Sequence, residues 1–323
     1  MNIVIPDDYA RLVETLDVFS LLEGHQVTLY HDAVDDRDVL AERFAEADAL
    51  VLIRERTRID DALLARLPRL KLISQTGKVA AHLDLEACTR HGVAVVEGRG
   101  SPIAPAELAW ALLINARRRL VDAVVAMRLG QWQVDMGERL AGSRLGIWGY
   151  GKIGARLARY ARAFEMVVWI WGSEASRARA EADGLEVAPS REALFAESDV
   201  VSLNLRLVEA TRHLVTFEDL KRMKPSALLL NISRAELIEP GALLAALDAG
   251  RPGSAALDVF EREPILDPDH PWLCHPRVLC TPHLGYVERQ SYELYFGDAF
   301  THLNDFFAGR AVVLADPRVV VAR

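Results

Sequence analysis

Short runs of apolar residues alternate with longer stretches of helical period along nearly the whole chain. In the first hundred residues the runs fall at 2–5, 27–30, 49–53, 70–74 and 93–96. Apolar runs separated by helical stretches read as strands of a parallel sheet covered on both faces. Five such units make one small doubly wound domain. A second series follows at 145–148, 167–171, 199–205, 227–231, 255–259 and 278–280. Between the two series, residues 106–129 carry an Ala-, Leu- and Val-rich pattern that predicts one long helix. It is interrupted by Arg117, Arg118 and Arg119, which a solvated helix face explains better than an anion site. An amphipathic helix is predicted over 288–309. Its stripe of Tyr292, Tyr295, Phe296, Phe300, Leu303, Phe306 and Phe307 reads as packing, not as a ligand box. The tail 311–321 reads as returning to the first domain. The fold class predicted is α/β, with two doubly wound parallel-sheet domains.

The second series opens with a motif that carries chemistry. The apolar run Leu145 to Trp148 ends in Gly149, Tyr150, Gly151, Lys152, Ile153 and Gly154, a G-x-G-x-x-G. A helical face of Ile153, Leu157, Ala161 and Phe164 follows, and then a second strand. In a dinucleotide-binding turn the first glycine makes the sharp bend and the second lets backbone approach a pyrophosphate. The third lets the helix pack on the sheet. The helix N-terminus offers open N–H groups and a positive dipole end.

Composition narrows the partners. The chain has 323 residues, with 38 Lys and Arg against 46 Asp and Glu, a formal net charge of −8. That balance argues against nucleic acid or an anionic membrane as the main partner. The three cysteines, Cys88, Cys274 and Cys280, give neither a disulfide framework nor a zinc spacing, so no metal is expected. Without a leader-like N-terminus or a long apolar run, the expectation is a cytoplasmic protein.

Ligands of open parallel sheets bind beyond the carboxyl ends of the strands. Three candidates follow such ends: Arg234, Glu263 and His283. An arginine offers a charged fork for a carboxylate, and a histidine exchanges a proton near neutral pH. A carboxylate beside an imidazole favours its charged form and fixes its ring. Beside a dinucleotide site, the trio suits hydride transfer at a carbon next to a carboxylate. Singly, each is as ordinary as a surface ion pair or a structural histidine.

Over essentially its full length the chain resembles the D-isomer-specific 2-hydroxyacid dehydrogenase family. The resemblance is carried by Leu140 to Ile147 running into the glycine motif, Asp199 to Leu203 and Met223-Lys224-Pro225 through Arg234. Leu257 to Pro264 and Thr281-Pro282-His283 complete it. It implies a flavodoxin-like substrate domain over residues 1–100 plus 289–323, and a Rossmann cofactor domain over 101–288 inserted between its two parts. It further implies NAD(P)(H) as cofactor, Arg234 on the substrate carboxylate and carbonyl, His283 as acid/base and Glu263 as its partner. Glu261 is the rival for Glu263, and spacing to Pro264 favours Glu263. Asp258 would hold the nicotinamide carboxamide, with Ile232 and Ser233 lining that pocket. Asn204 and Gly285 complete the cofactor set.

Three departures from the family pattern bear on specificity. The acid that usually follows the second cofactor-domain strand is Gly172 here, followed by Ser173. Nothing there repels a 2′-phosphate, and Arg177 and Arg179 follow closely. Glu174 argues the other way, and the balance favours NADP(H). The substrate loop, usually G-x-G-x-D, keeps only Gly77 of Gly77-Lys78-Val79-Ala80-Ala81. After the fourth strand, Asn204 and Arg206 replace the usual His and Pro. Arg54-Glu55-Arg56-Thr57 resembles the R-x-R-T stretch that faces the substrate phosphate in phosphoglycerate dehydrogenases. With Lys78 it either binds an anionic tail or pairs with surface acids such as Glu55 or Asp60. The expected function is hydride exchange between NAD(P)(H) and a small 2-keto or D-2-hydroxy acid, by a homodimer. The alternative is a catalytically weak NAD(P)-sensing regulator on the same fold, as in corepressors.

Overall fold

The computed structural model describes residues 1–319 and divides into two units. The first is Met1–Ser101 together with the segment from Val287 onward, and the second is Pro102–Tyr286.

The first unit holds β1 (Asn2–Ile5), β2 (Gln26–Leu29), β3 (Ala49–Leu52), β4 (Leu72–Gln75) and β5 (Ala94–Glu97). All pairs are parallel, in the order β2-β1-β3-β4-β5, which is the flavodoxin-like order. Central β3 and β4 are buried at every position; β3 reads as a continuous apolar run, β4 ends in the buried polar pair Ser74 and Gln75, and edge strand β2 is exposed or half-buried throughout. The helix Arg289–Phe307 buries Tyr292, Tyr295, Phe296, Phe300 and Leu303 in this unit. Phe300 meets Phe19 edge-on, and Ser74 Oγ donates to the Ala299 carbonyl at 2.8 Å. The aromatic stripe is therefore core. The tail then bridges back to β5, where the Ala315 N–H donates to the Val95 carbonyl at 2.8 Å. Residues 320–323, the end of the predicted returning tail, lie outside the described residues.

The second unit holds β6 (Arg144–Trp148), β7 (Val167–Trp171), β8 (Glu186–Val187), β9 (Val200–Leu203), β10 (Leu228–Asn231), β11 (Ser254–Leu257) and β12 (Val278–Cys280). Their parallel order is β12-β11-β10-β9-β6-β7-β8. The chain starts at β6, runs outward to β8, then crosses back to β9. This is the Rossmann order with one more strand, and its topological switch point lies at β6. Strand β8 escapes sequence reading because it is two residues long and starts with an exposed glutamate.

One predicted element is corrected. The helix expected over 106–129 is two helices, Ile103–Arg118 and Leu120–Arg128, broken at Arg119 with φ 51° and ψ 41°. Arg119 is held there by Asp122 at 2.9 Å and Asp135 at 2.5 Å. The Glu138 N–H caps the first helix by donating to the Arg117 carbonyl at 2.7 Å. The first helix buries Ala106, Ala109, Trp110, Leu112 and Leu113, whereas the second buries only Ala126. Among the described residues no helix is long and apolar enough to cross a membrane.

Candidate active site

The residues singled out in the second unit leave the carboxyl edge of the seven-stranded sheet, in an order set by the strands. At the switch point, β6 delivers Gly149 with φ 106°, a region that side chains rarely enter, and its N–H donates to the Trp171 carbonyl at 2.8 Å. A Cβ there would lie 2.5 Å from the Asn204 carbonyl oxygen, so strand ends β6 and β9 close up only around a glycine. A Cβ on Gly154 would strike the Gly149 carbonyl, so the third glycine lets the helix Lys152–Ala163 sit against the turn. That helix starts at Gly151 with no side-chain cap, and the space beside Gly151 is empty within 4 Å. Its first-turn N–H groups, including those of Lys152 and Ile153, are thus available to an anion. The Asn204 Oδ1 next to this turn is a buried acceptor with no protein partner. Cradle, helix end and orphaned acceptor together fit a bound dinucleotide. Tyr150 turns away from it: the ring is buried and the hydroxyl donates to Asp183 at 2.7 Å. Burial, then that bond, push the phenol up to about 12.

One strand outward, β7 ends at Trp171 and passes through Gly172 to Ser173, whose Oγ accepts the Ser176 N–H and caps the helix Glu174–Ala182. Ser173 and Glu174 are both exposed. Arg177 stacks on the Trp171 ring at 4.8 Å. Arg179 reaches back to the glycine turn, its Nη2 donating to the Tyr150 carbonyl at 3.0 Å.

In the other direction lie the remaining candidates. After β9, Asn204 Nδ2 donates to the Ser202 Oγ at 2.9 Å. After β10, Ile232 is buried and the Ser233 Oγ donates to the Leu203 carbonyl at 2.8 Å. Asn231, which sequence reading missed, fixes this turn. Its Oδ1 accepts from the Ser233 N–H at 3.0 Å and its Nδ2 donates to the Arg234 carbonyl at 2.9 Å. An asparagine at a strand end was the available signal. Arg234 is half-buried in extended backbone.

Beyond β11 and β12 sit Glu263 and His283, which pair with each other. Glu263 Oε2 accepts from His283 Nδ1 at 2.6 Å, while Oε1 takes the Phe260 N–H at 2.9 Å. The His283 ring packs edge-on against Tyr286 with centroids 5.4 Å apart, a second contact missed from sequence. His283 itself has φ 50°, and its loop is clamped by Asp258. That fully buried carboxylate accepts from Thr281 Oγ1 at 2.6 Å, the Leu284 N–H at 2.7 Å and the Gly285 N–H at 2.9 Å. Burial raises the Asp258 carboxyl above its ordinary range, against these bonds and the nearby His283, which lower it. Glu261 makes no such bond to His283; it lines a small cavity with Asn231, Leu257 and Trp272.

The substrate-loop candidates lie in the first unit. Arg54 follows β3 with φ 55°, its N–H donating to Thr76 Oγ1 at 2.9 Å. Any side chain on Gly77 would take the place of the Arg54 guanidinium. Arg56 is committed to structure, donating to the Asp7 carbonyl at 2.5 Å. Lys78 is ion-paired with Glu97 at 2.6 Å.

A dinucleotide cradle and a carboxylate-braced histidine on one sheet edge define a nucleotide-dependent oxidoreductase. Residues 110–285 match the family model described as the D-isomer specific 2-hydroxyacid dehydrogenase NAD binding domain, and the chain belongs to that family. It is 37% identical to a glyoxylate reductase of Aeropyrum pernix over 79% of this chain and 78% of that protein. It is 33% identical to a D-3-phosphoglycerate dehydrogenase of Methanocaldococcus jannaschii over 77% of this chain, which is 48% of that longer protein. Among solved structures, a putative D-3-phosphoglycerate dehydrogenase of Ralstonia solanacearum superimposes with a TM-score of 0.97 at 50% identity, over 99% of this chain and 98% of that one. The protein is an NAD(P)-dependent enzyme that moves a hydride between its cofactor and a small 2-keto or 2-hydroxy acid.

Proposed function

We propose that Arg234, His283 and Glu263 carry this reaction on the D-hydroxy acid side, with glyoxylate or hydroxypyruvate as the substrate class reduced. The observation that carries the reading is the short His283–Glu263 bond with its second anchor on the Phe260 N–H. A carboxylate can only accept, so Nδ1 holds the proton and Nε2 is left for the substrate. Bound at the glycine cradle, the dinucleotide supplies or accepts the hydride. In reduction, the Arg234 fork holds the carboxylate and polarises the keto oxygen, and protonated His283 donates from Nε2. In oxidation, neutral His283 takes the hydroxyl proton at the same atom. Glu263 keeps the ring oriented and its Nδ1 proton in place. Asp258, Ile232, Ser233, Asn204 and Gly285 are the residues we assign to the nicotinamide side. In the first unit, Arg54, Gly77 and Lys78 are those we assign to the substrate's tail.

The finer assignments rest on separate features. For the cofactor we favour NADP(H). Gly172 and Ser173 carry no charge to repel a 2′-phosphate, and the Arg179 guanidinium is held beside the glycine turn. For assembly we infer a homodimer. Val124 and Val125 are each 50% exposed, Met127 64% and Trp132 76%, an apolar strip whose natural cover is a second copy across a two-fold axis. Free Cys88, Cys274 and Cys280 suit a reducing cytoplasm. The test is a panel of 2-keto acids assayed with NADH and NADPH in parallel, repeated with His283→Ala. Turnover should fall by about 10²–10⁴-fold in the variant. Near-normal turnover would remove His283 from the reaction.

A further inference from the structure

The carboxyl edge of the five-stranded sheet gathers positive charge on three neighbouring strand ends, β3, β4 and β5. Arg54 lies over Gly77, and the Gly98 N–H donates to the Gly77 carbonyl at 2.9 Å, bringing the end of β5 against the same loop. Beside them stand Arg56, Lys78 and Arg99. Each of these three is matched by an acceptor of the protein itself. Arg56 is on the Asp7 carbonyl, and Arg99 forms a two-pronged pair with Asp298 at 2.7 and 3.0 Å. Lys78 is on Glu97 Oε1 at 2.6 Å. Glu97 does not depend on Lys78 for its position, because its Oε2 also takes the Val79 N–H at 3.0 Å. Were Lys78 to swing towards a ligand (its side chain is 64% exposed), the Glu97 carboxylate would stay in the loop.

That arrangement has a consequence for substrate charge. A phosphate tail is nearly dianionic and gains most where several cations converge. Here it would have to draw Lys78 from its carboxylate and then sit near that carboxylate. An uncharged tail meets neither cost.

We propose that Glu97 is a specificity-determining residue that turns away phosphorylated substrates, selecting 2-keto acids with a short uncharged tail. The inference rests on the reading that Arg54, Gly77 and Lys78 face the substrate. The charge census at this edge supports an enzyme of hydroxypyruvate or glyoxylate more than one of a phosphate ester. One fixed negative charge a few ångströms from a dianion, at a partly exposed site, is worth on the order of tenfold in relative affinity.

The experiment compares kcat/KM for hydroxypyruvate and for 3-phosphohydroxypyruvate, as a ratio so that any general loss of activity cancels. The wild-type enzyme should favour the unphosphorylated acid. Glu97→Gln, whose amide oxygen can still accept the Val79 N–H, should move the ratio about tenfold towards the phosphate ester, chiefly through KM. The double variant Glu97→Gln/Lys78→Gln should keep only the part of that gain that comes from removing the Glu97 charge, and lose the part that the released lysine produces. A wild-type preference for the ester, or an unmoved ratio in Glu97→Gln, overturns the proposal. Arg54→Ala and Lys78→Gln separate its failure from that of the underlying reading. If both leave every KM unmoved, this edge does not face substrate and both ideas fall. If they shift KM while Glu97→Gln leaves the ratio unmoved, only the role of Glu97 falls.

Discussion

Replacing Glu263 by glutamine tests the proposed acid/base pair more sharply than deleting the histidine. The side chain keeps its shape, and its carbonyl oxygen can still accept the Phe260 N–H that Oε1 takes at 2.9 Å, so the loop keeps its anchor. The other end changes from a carboxylate oxygen to an amide NH₂ facing His283 Nδ1. Two losses follow. The charge-assisted bond, 2.6 Å long between side chains 27% and 32% exposed, is gone. A bond to a charged group is worth about 1.5–3 kcal/mol, and partial exposure brings this to about 1–2, or roughly 5- to 30-fold in rate. In addition, the amide donates to Nδ1, which drives the ring proton to Nε2 and leaves neutral His283 unable to accept there. We expect kcat/KM to fall by about 10²–10³-fold in all. Because the overall equilibrium is fixed, the same loss must appear in reduction and in oxidation at one pH. Steady-state rates in both directions, with cofactor affinity measured by fluorescence titration, give the answer. Glu261→Gln serves as control and should change the rate little. Activity within about fivefold of wild type in Glu263→Gln, or an equal loss in Glu261→Gln, would refute the pairing as the basis of proton transfer.

Three further outcomes are expected. Asp199 accepts from Lys224 at 2.7 Å and from the Arg144 N–H at 2.8 Å; burial alone would raise its carboxyl, but these contacts outweigh it and leave it below its ordinary range. Its stabilisation is therefore present at neutral pH and lost as the pH falls through its depressed titration. Thermal melts of Asp199→Asn should show a loss of about 1–2 kcal/mol at pH 7 that shrinks towards acid pH, and a loss that grows with acid would contradict the sign. Ser173→Asp keeps the helix cap and adds the missing charge, whereas a side chain on Gly172 would press on Ser176 Cβ at 3.2 Å. The kcat/KM ratio of NADPH to NADH should drop at least about tenfold in that variant, and an unmoved ratio would detach this turn from cofactor choice. Val124→Glu with Met127→Glu should convert a dimer to a monomer by light scattering at micromolar concentration; a wild-type monomer would defeat the dimer outright.

The sheets were legible because parallel strands are buried on both faces, so β3 appears as an unbroken apolar run and β9 and β10 are apolar but for Ser202 and the terminal Asn231. The glycine turn was legible because its constraints are steric and local. The helix break was not: the Ala, Leu and Val pattern runs straight through Arg119. What breaks it is an arginine in left-handed backbone, held by Asp122 and by Asp135 on a later loop. Pairings set by tertiary structure were equally hidden. Lys78 and Glu97 are 19 residues apart, and nothing local says that two strand ends bring them to 2.6 Å. The family resemblance assigns Asp258 to the nicotinamide pocket. Its three bonds to the 281–285 loop, which hold His283 in its left-handed turn, depend on β11 and β12 lying side by side.

The strand order of the larger sheet works as a ruler. Neighbouring strands are about 4.8 Å apart, so the end of β7, beside Gly172 and Ser173, and the end of β12, before His283, stand five intervals or about 24 Å from each other. At that separation, with no shared side-chain partner, free-energy effects add. On the proposed assignments, cofactor preference and proton transfer are thus two independent dials on one frame. A change at Ser173 should multiply cleanly with a change at Glu263. An enzyme of this build could drift between nucleotide pools while its reaction chemistry stays as it is.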